Sequence, residues 1–481
     1  MNDLLRDPLF SIESERQDVR RYSLPGLLAC LLDLEQDDPP MSFSRVTPAQ
    51  RGLVWRFLVR TAAYVLRAEG MDSVQDSTGN GAGQAESVIR SALRGAAPDS
   101  AWLLHHEGPI SEAAFLQPAY TGDGNSREQG ISWLTQAIGR RQYERKSMVP
   151  HSMSPEEVVY GLIEYQLGVK QGGQGHYPTQ LTGSGDGAGS GSPTITIEFH
   201  RGLAVDFVFA VDTLLAHWPR IRKRHGLVGD VWALWAEPWS GAKGEGLPAS
   251  ELSPAFIPCA RIVRLHPPID GYFYGVTTVG SKAKRVEDHT DGGNLGDIFV
   301  PLIQDPRKGH WKIRGVLEQG YNYKEVAATL FERTNKEGQG RRRPPIVDGL
   351  ARIADDLPAT PYVRFAGVAF SQGKTLGFFE REFLLPQGAV RHFEATDVAL
   401  GVYEDMLALK AKAEGALSHA AAIRTGWEKG SYPASVALLT GPFEDFVDRE
   451  YLPFLFRAAD EQEQHLATGR EGGERPAWKK K

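Results

Sequence analysis

Gly373-Lys374-Thr375 supplies the ending of a P-loop, G-x-x-x-x-G-K-[ST], in which backbone amides cradle a nucleotide phosphate and the lysine reaches it. The opening glycine should stand five places before Gly373, but that position is Val368, and Gly367 comes one residue early. A P-loop also needs a following helix whose N-terminus faces the phosphates. Here "TLGFFEREFLLP" (375–386) has Gly377 and aromatic pairs, which suit a strand. A hairpin fits better: "YVRFAGVAF" and "LGFFEREFLLP" are two arms, and Ser371-Gln372-Gly373-Lys374 is the turn between them. A nucleotide hydrolase using Gly373-Lys374-Thr375 remains the rival reading.

Other patterns that could do chemistry are few. G-x-S-x-G, H-E-x-x-H and C-x-x-C are absent from the sequence. His105, His106 and Glu107 are adjacent, so their side chains point apart and no fourth metal ligand is evident. Asp291, Asn294 and Asp297 lack EF-hand spacing and read as a turn. Lys282, Lys284 and Arg285 form a basic cluster, and Arg341 to Arg343 read as a solvated charge run. "GGQGHYPTQLTGSGDGAGSGSP" (172–193) holds eight glycines and leads into the alternating "TITIEF". It reads either as a linker or as backbone able to approach a phosphate or groove floor closely.

The elements that must carry these residues are legible in outline. At 481 residues, 41% hydrophobic and 24% charged, the chain is globular, with material for two or three domains. Cys30 and Cys259 are its only cysteines, which fits a reducing cytoplasm, and no apolar run is long enough to span a membrane. A net charge of −6 argues against a free-standing DNA-binding protein, though not against a local basic groove within an assembly. Helices are expected after Ser23, over 48–70, and from Ser154 to a stop at Gly172-Gly173; "DSTGNGAGQAES" (76–87) reads as a loop. Trp232, Trp235 and Trp239 read as core, and "IPCARIVRL" (257–265) as a strand. The resulting fold class is α+β: a mixed α/β body over residues 1–388, then a helical bundle over 389–481.

From Gly367 to Glu382 the hairpin resembles the CasA family, the large subunit of the type I-E CRISPR surveillance complex Cascade. "NDLLRDPLFSI…YSLPGLLA", "AAFLQP" (113–118, similar to the family's Phe-x-Gln motif), "VKQGGQGHYP…GSGSPTITIEFHRGL", "IPCARIVRL" and "GDIFVPL" follow in the family's order. The resemblance implies a non-catalytic subunit without cofactor. It would work with the other Cascade subunits and a CRISPR guide RNA on double-stranded target DNA, starting unwinding beside the protospacer-adjacent motif and recruiting a helicase–nuclease. It places Gln372 as a wedge, flanked by Ser371 and Gly373, with Lys374 on a phosphate. Gly172, Gly173 and Gly175 would approach the minor groove, and Arg264 is the candidate basic reader. The chain departs from the family pattern in having Leu9 where a tryptophan is common, in lacking a four-cysteine knuckle, and in a bundle that looks short at "RPAWKKK". A scaffold that only bridges subunits, with the glycine tract as linker, is the other alternative.

Overall fold

An antiparallel sheet grows from the N-terminus in the computed structural model, which describes residues 2–75, 82–135, 150–168, 193–259, 261–287, 294–305, 309–317, 320–331, 340–371, 374–386, 389–392, 396–425 and 434–467. Its strands β1 (Phe10–Ser14), β2 (Val19–Tyr22) and β3 (Pro40–Phe43) lie in the order β2-β1-β3, with α1 (Leu24–Leu32) between β2 and β3 in sequence. Next come α2 (Pro48–Ala68), α3 (Ala82–Ala96), β4 (Ser126–Gly130), α4 (Pro155–Leu167), β5 (Thr194–Glu198) and α5 (Leu203–His225). The middle of the chain holds β6 (Val231–Ala233), β7 (Leu247–Pro248), β8 (Leu252–Ile257), β9 (Ile262–Leu265), β10 (Gly275–Val279) and β11 (Val286–Glu287). These form the small sheets β6-β8, β4-β10-β9 and β11-β7. After them β12 (Leu302–Gln304), β13 (Trp311–Ile313), α6 (Tyr323–Leu330), β14 (Arg341–Arg342) and α7 (Pro345–Arg352) surround the sheet β13-β12-β14. The chain closes with β15 (Tyr362–Ser371), β16 (Lys374–Leu384), α8 (Ala389–His392), α9 (Thr396–Thr425) and α10 (Ala434–Ala467). The class is α+β.

Local chemistry starts the helices where the sequence places them. Ser23 caps α1 by accepting from the Gly26 amide, and Ser154 and Glu157 form a reciprocal capping box on α4. α2 is a central strut: Val54, Phe57, Leu58, Val59, Ala62 and Ala63 are fully buried. Burying each large apolar side chain there stabilises the fold by about 1.5–3 kcal/mol. Trp232 and Trp235 join the same core, with their rings 5.4 Å apart, while Trp239 sits in a satellite cluster with Tyr120 and Ile262. α9 and α10 run antiparallel. The Tyr451 hydroxyl donates to the Tyr403 carbonyl, and Lys410 pairs with Glu444, so residue numbers rise on one helix as they fall on the other.

Three expectations are corrected. Ala82–Ser87 are not loop but the first turns of α3, where Glu86 meets Arg90 one turn on. α4 stops at Gly168, whose amide caps onto the Glu164 carbonyl; Gly172 and Gly173 lie outside the described residues. Arg341 to Arg343 are not a solvated run. Arg341 pairs with Glu325, Arg342 lies 3.8 Å over the Trp311 ring, and Arg343 pairs with Asp348. Partners supplied by α6, β13 and α7 take up each charge.

Candidate nucleic-acid interface

Residues 362–384 form one long antiparallel ladder. β15 and β16 pair from Tyr362 opposite Leu384 up to Ser371 opposite Lys374, with a bulge between Ala369 and Phe370. Gln372 and Gly373, the two residues between the arms, lie outside the described residues. β5 adds a third strand only along the base, from Glu198 opposite Tyr362 to Thr194 opposite Ala366. Among the described residues, β15 from Gly367 outward pairs only with β16. At about 3.4 Å per residue, the five positions from Gly367 to Ser371 continue the two-stranded ladder roughly 17 Å past its last pairing with β5.

This geometry overturns the P-loop reading. Lys374 begins a strand, so no helix N-terminus stands where a phosphate would need one. Gly367 has a packing role instead: a Cβ there would come within 2.6 Å of Val316 Cγ2 and 3.2 Å of Pro193 Cα.

Two faces hold the base of the hairpin. On one, the Arg364 guanidinium pairs with Glu198 at 3.0 Å and with Glu380, and His200 Nε2 lies 2.6 Å from Glu382 Oε1. On the other, Phe365 packs between Tyr321 and Phe383, and Arg381 pairs with Asp448 of α10 while donating to the Tyr321 carbonyl. The charged face borders a cavity of about 320 Å³ lined by Arg51, Trp55, Glu198, Asp206, Arg364 and Glu382 among others. Glu198, His200 and Glu382 present ligand atoms within 4.8 Å of one another, close enough for a cation. In this arrangement their charges are spent on Arg364 and on each other. Asp206 accepts from the Phe199 amide, and burial pushes its carboxyl up to about 7, with Glu198 and Glu382 adding repulsion.

The glycine tract joins the same sheet. Its last residue, Pro193, leads straight into β5, and the buried Arg56 Nη2 donates to the Pro193 carbonyl at 2.5 Å. Gly172, Gly173 and Gly175 lie outside the described residues. The backbones of Ser371 and Lys374 sit at the outer end of the ladder, five register positions beyond the pair Thr194–Ala366.

Arg264 sits elsewhere, on β9. Its guanidinium donates to the carbonyls of Ile110 (3.0 Å) and Glu112 and lies near His106, and burial lowers its pKa to about 10. Two of its donors are thereby committed to the 110–112 backbone. Nearby, Gln117 donates to the Leu104 carbonyl and accepts from the Leu265 amide, while Gln166 of α4 donates to the Leu116 and Arg261 carbonyls. The Phe115-Leu116-Gln117 segment is therefore a buried brace between α4 and β9, with Leu116 held at φ 53°.

The sequence reading missed Arg56, Glu198, His200, Arg364, Glu382 and Asp206. A regular hairpin closed at 371–374 would set Arg364 opposite Arg381; the bulge between Ala369 and Phe370 shifts the register and brings Glu382 there, so the string carried no direct signal for this pair. Nothing local marks Arg56 or His200.

No protein-family model and no curated protein matches the chain. Solved structures do. CasA of Thermus thermophilus is 16% identical with a TM-score of 0.59, the match covering 98% of this chain and 96% of that one. Cse1 of Thermobifida fusca is 12% identical with a TM-score of 0.62, covering 97% and 90%. A chain of a CRISPR RNA-guided surveillance complex in a pre-nicking state is 14% identical with a TM-score of 0.53, covering 96% and 89%. The chain has the CasA/Cse1 fold along nearly its whole length.

Proposed function

We propose that this chain is the large, non-catalytic subunit of a type I-E CRISPR RNA-guided surveillance complex. It acts in the cytoplasm, where it recognises a short motif in double-stranded DNA and starts strand separation for the guide RNA. It then provides the docking place for a helicase–nuclease. The observation that carries this reading is the two-stranded end of β15 and β16 in a chain of CasA/Cse1 fold, with Gln372 between the arms. A guide RNA supplies sequence specificity in such systems, and the protein needs only to read the motif and open the first pairs. Unstacking a base step costs a few kcal/mol, which an inserted side chain partly offsets. A glutamine amide both donates and accepts, so it suits orphaned base edges.

In this scheme Ser371 and Gly373 flank the wedge and Lys374 holds a phosphate. Gly172, Gly173 and Gly175 approach the minor groove, whose degenerate pattern tolerates several motifs. Arg264, whose guanidinium is braced on the Ile110 and Glu112 carbonyls, is the candidate basic reader of the motif. The body (1–388) and the helical segment (389–481) are two domains packed on one another, with Arg381 of one paired to Asp448 of the other, the second meeting neighbouring subunits. The deciding experiment assembles the other subunits and a guide RNA with and without this chain and measures duplex binding against a motif-less control. Loss of motif dependence on omission is expected. Equal motif-dependent binding without the chain would reduce it to a scaffold.

A further inference from the structure

The cavity of about 320 Å³ at the base of the hairpin sheet is bounded by β3, the start of α2, β5, the first turn of α5 and the two hairpin strands. Phe43, Trp55 and Leu203 give it apolar walls among several charged groups, a lining suited to a small organic molecule. Most of those charges already have partners. Arg364 is shared between Glu198 and Glu380, Glu198 also accepts from the Thr196 hydroxyl, and His200 holds Glu382. Asp206 differs. It is 7% exposed, its Oδ1 accepts from the Phe199 amide, and its Oδ2 accepts from no donor among the described residues. That oxygen is not sealed in, so the cavity reaches it.

The sign of the missing partner follows from charge. The lining carries four carboxyls against two guanidiniums and one imidazole, so once Asp206 ionises, negative charge is in excess even with His200 protonated. Burial, and then repulsion from Glu198 and Glu382, hold the Asp206 carboxyl up at about 7, with the Phe199 amide and His200 opposing. A positive group beside Oδ2 would relieve that. Arg51, the second guanidinium, is exposed and screened by solvent. The N-terminus of α5 also borders the cavity and its dipole favours anions, but Asp206 stands in that first turn and already answers it.

We propose that this cavity binds a small organic cation, an ammonium or guanidinium on an apolar stem, with the charged head on Asp206 Oδ2 and the stem against Phe43, Trp55 and Leu203. The site is independent of motif reading, and its test needs neither DNA nor the other subunits.

Isothermal titration calorimetry of the full chain with hexylamine, 1-hexanol and hexanoate separates charge from stem. Hexylamine should bind saturably and about tenfold or more tightly than the other two, as a hydrogen bond between charged groups allows. D206N keeps the acceptor for the Phe199 amide and should lose about tenfold for hexylamine, whereas D123N, at an exposed carboxyl outside the lining, should match wild type. Wild-type affinity should rise between pH 5 and 8 as Asp206 ionises, and rise less in D206N. Arg51, Glu198, His200, Arg364, Glu380 and Glu382 face the cavity from α2, from β5 and its end, and from β15 and β16, and whatever they titrate is common to both proteins. If D206N misfolds, L203W, which fills the place of the stem, carries the test and should abolish hexylamine binding. Absence of saturable hexylamine binding, equal binding of 1-hexanol, tighter binding of hexanoate, or unchanged affinity in D206N or L203W would each overturn the proposal.

Discussion

The Arg56 guanidinium lies 3.4 Å from the Asp297 carboxylate, with both side chains 1% exposed. The contact is ionic rather than a hydrogen bond, since Asp297 Oδ2 accepts none in the described structure. Arg56 also holds the Pro193 carbonyl, and Asp297 Oδ1 accepts from the Phe299 amide, whose own carbonyl accepts from Ile195 of β5. One buried pair thus fixes the point where the glycine tract enters the hairpin sheet. Removing one member strands the other charge in the core. Asp297→Ala should therefore cost about 3–5 kcal/mol in denaturant unfolding, whereas a well-packed apolar replacement of both residues should cost far less. Equal losses in the two variants would mean that packing, not charge, sets the cost.

Asp206 gives the fold a pH dependence. Its carboxyl titrates near 7 in the native state, against about 3.9 when unfolded. Between those values the native state holds a proton that the unfolded chain has lost, so this group makes stability fall as pH rises from about 4 to 7 and level off above. Asp206→Asn keeps the acceptor for the Phe199 amide and cannot ionise. Its melting temperature should change less between pH 5 and 8 than that of wild type, with the variant the more stable at pH 8. A steeper fall in the variant would contradict the assignment.

Features set by neighbours in sequence were legible, and those set by distant partners were not. Ser154 and Glu157 are three residues apart, so their capping box follows from the string alone. The hairpin arms follow from aromatic and β-branched residues on either side of 371–374. Arg341 to Arg343 look solvated in isolation because Glu325, Trp311 and Asp348 reach them only after folding. Arg264 looked available for the same reason, the carbonyls that occupy it belonging to a loop far back in the chain. His200, held at φ 53° beside Glu382, has no local signature at all.

The glycine tract separates close approach from mere linkage. Replacing Gly173 or Gly175 with valine should weaken motif-dependent binding several-fold while the complex still assembles, because only the approach of bare backbone to the groove floor is lost. Co-purification with the other subunits and duplex titration read the two effects separately. Failure of assembly would make the tract structural.

Gln372→Ala should impair opening of the duplex more than initial docking on it. Docking uses groove and phosphate contacts, whereas a wedge contributes only once base pairs begin to part. A target already mismatched beside the motif has little unstacking cost left to offset. The variant should therefore bind such a bubble nearly as well as wild type, yet form the guide–target hybrid several-fold more slowly on intact duplex. Lys374→Ala should weaken both substrates alike and lower the salt slope by about one, as loss of a phosphate contact does. Stopped-flow measurement of hybrid formation on the two targets makes the comparison. If Gln372→Ala lost equally on bubble and duplex, the two-stranded end of β15 and β16 would be a contact loop, and strand separation would have to start elsewhere on the protein.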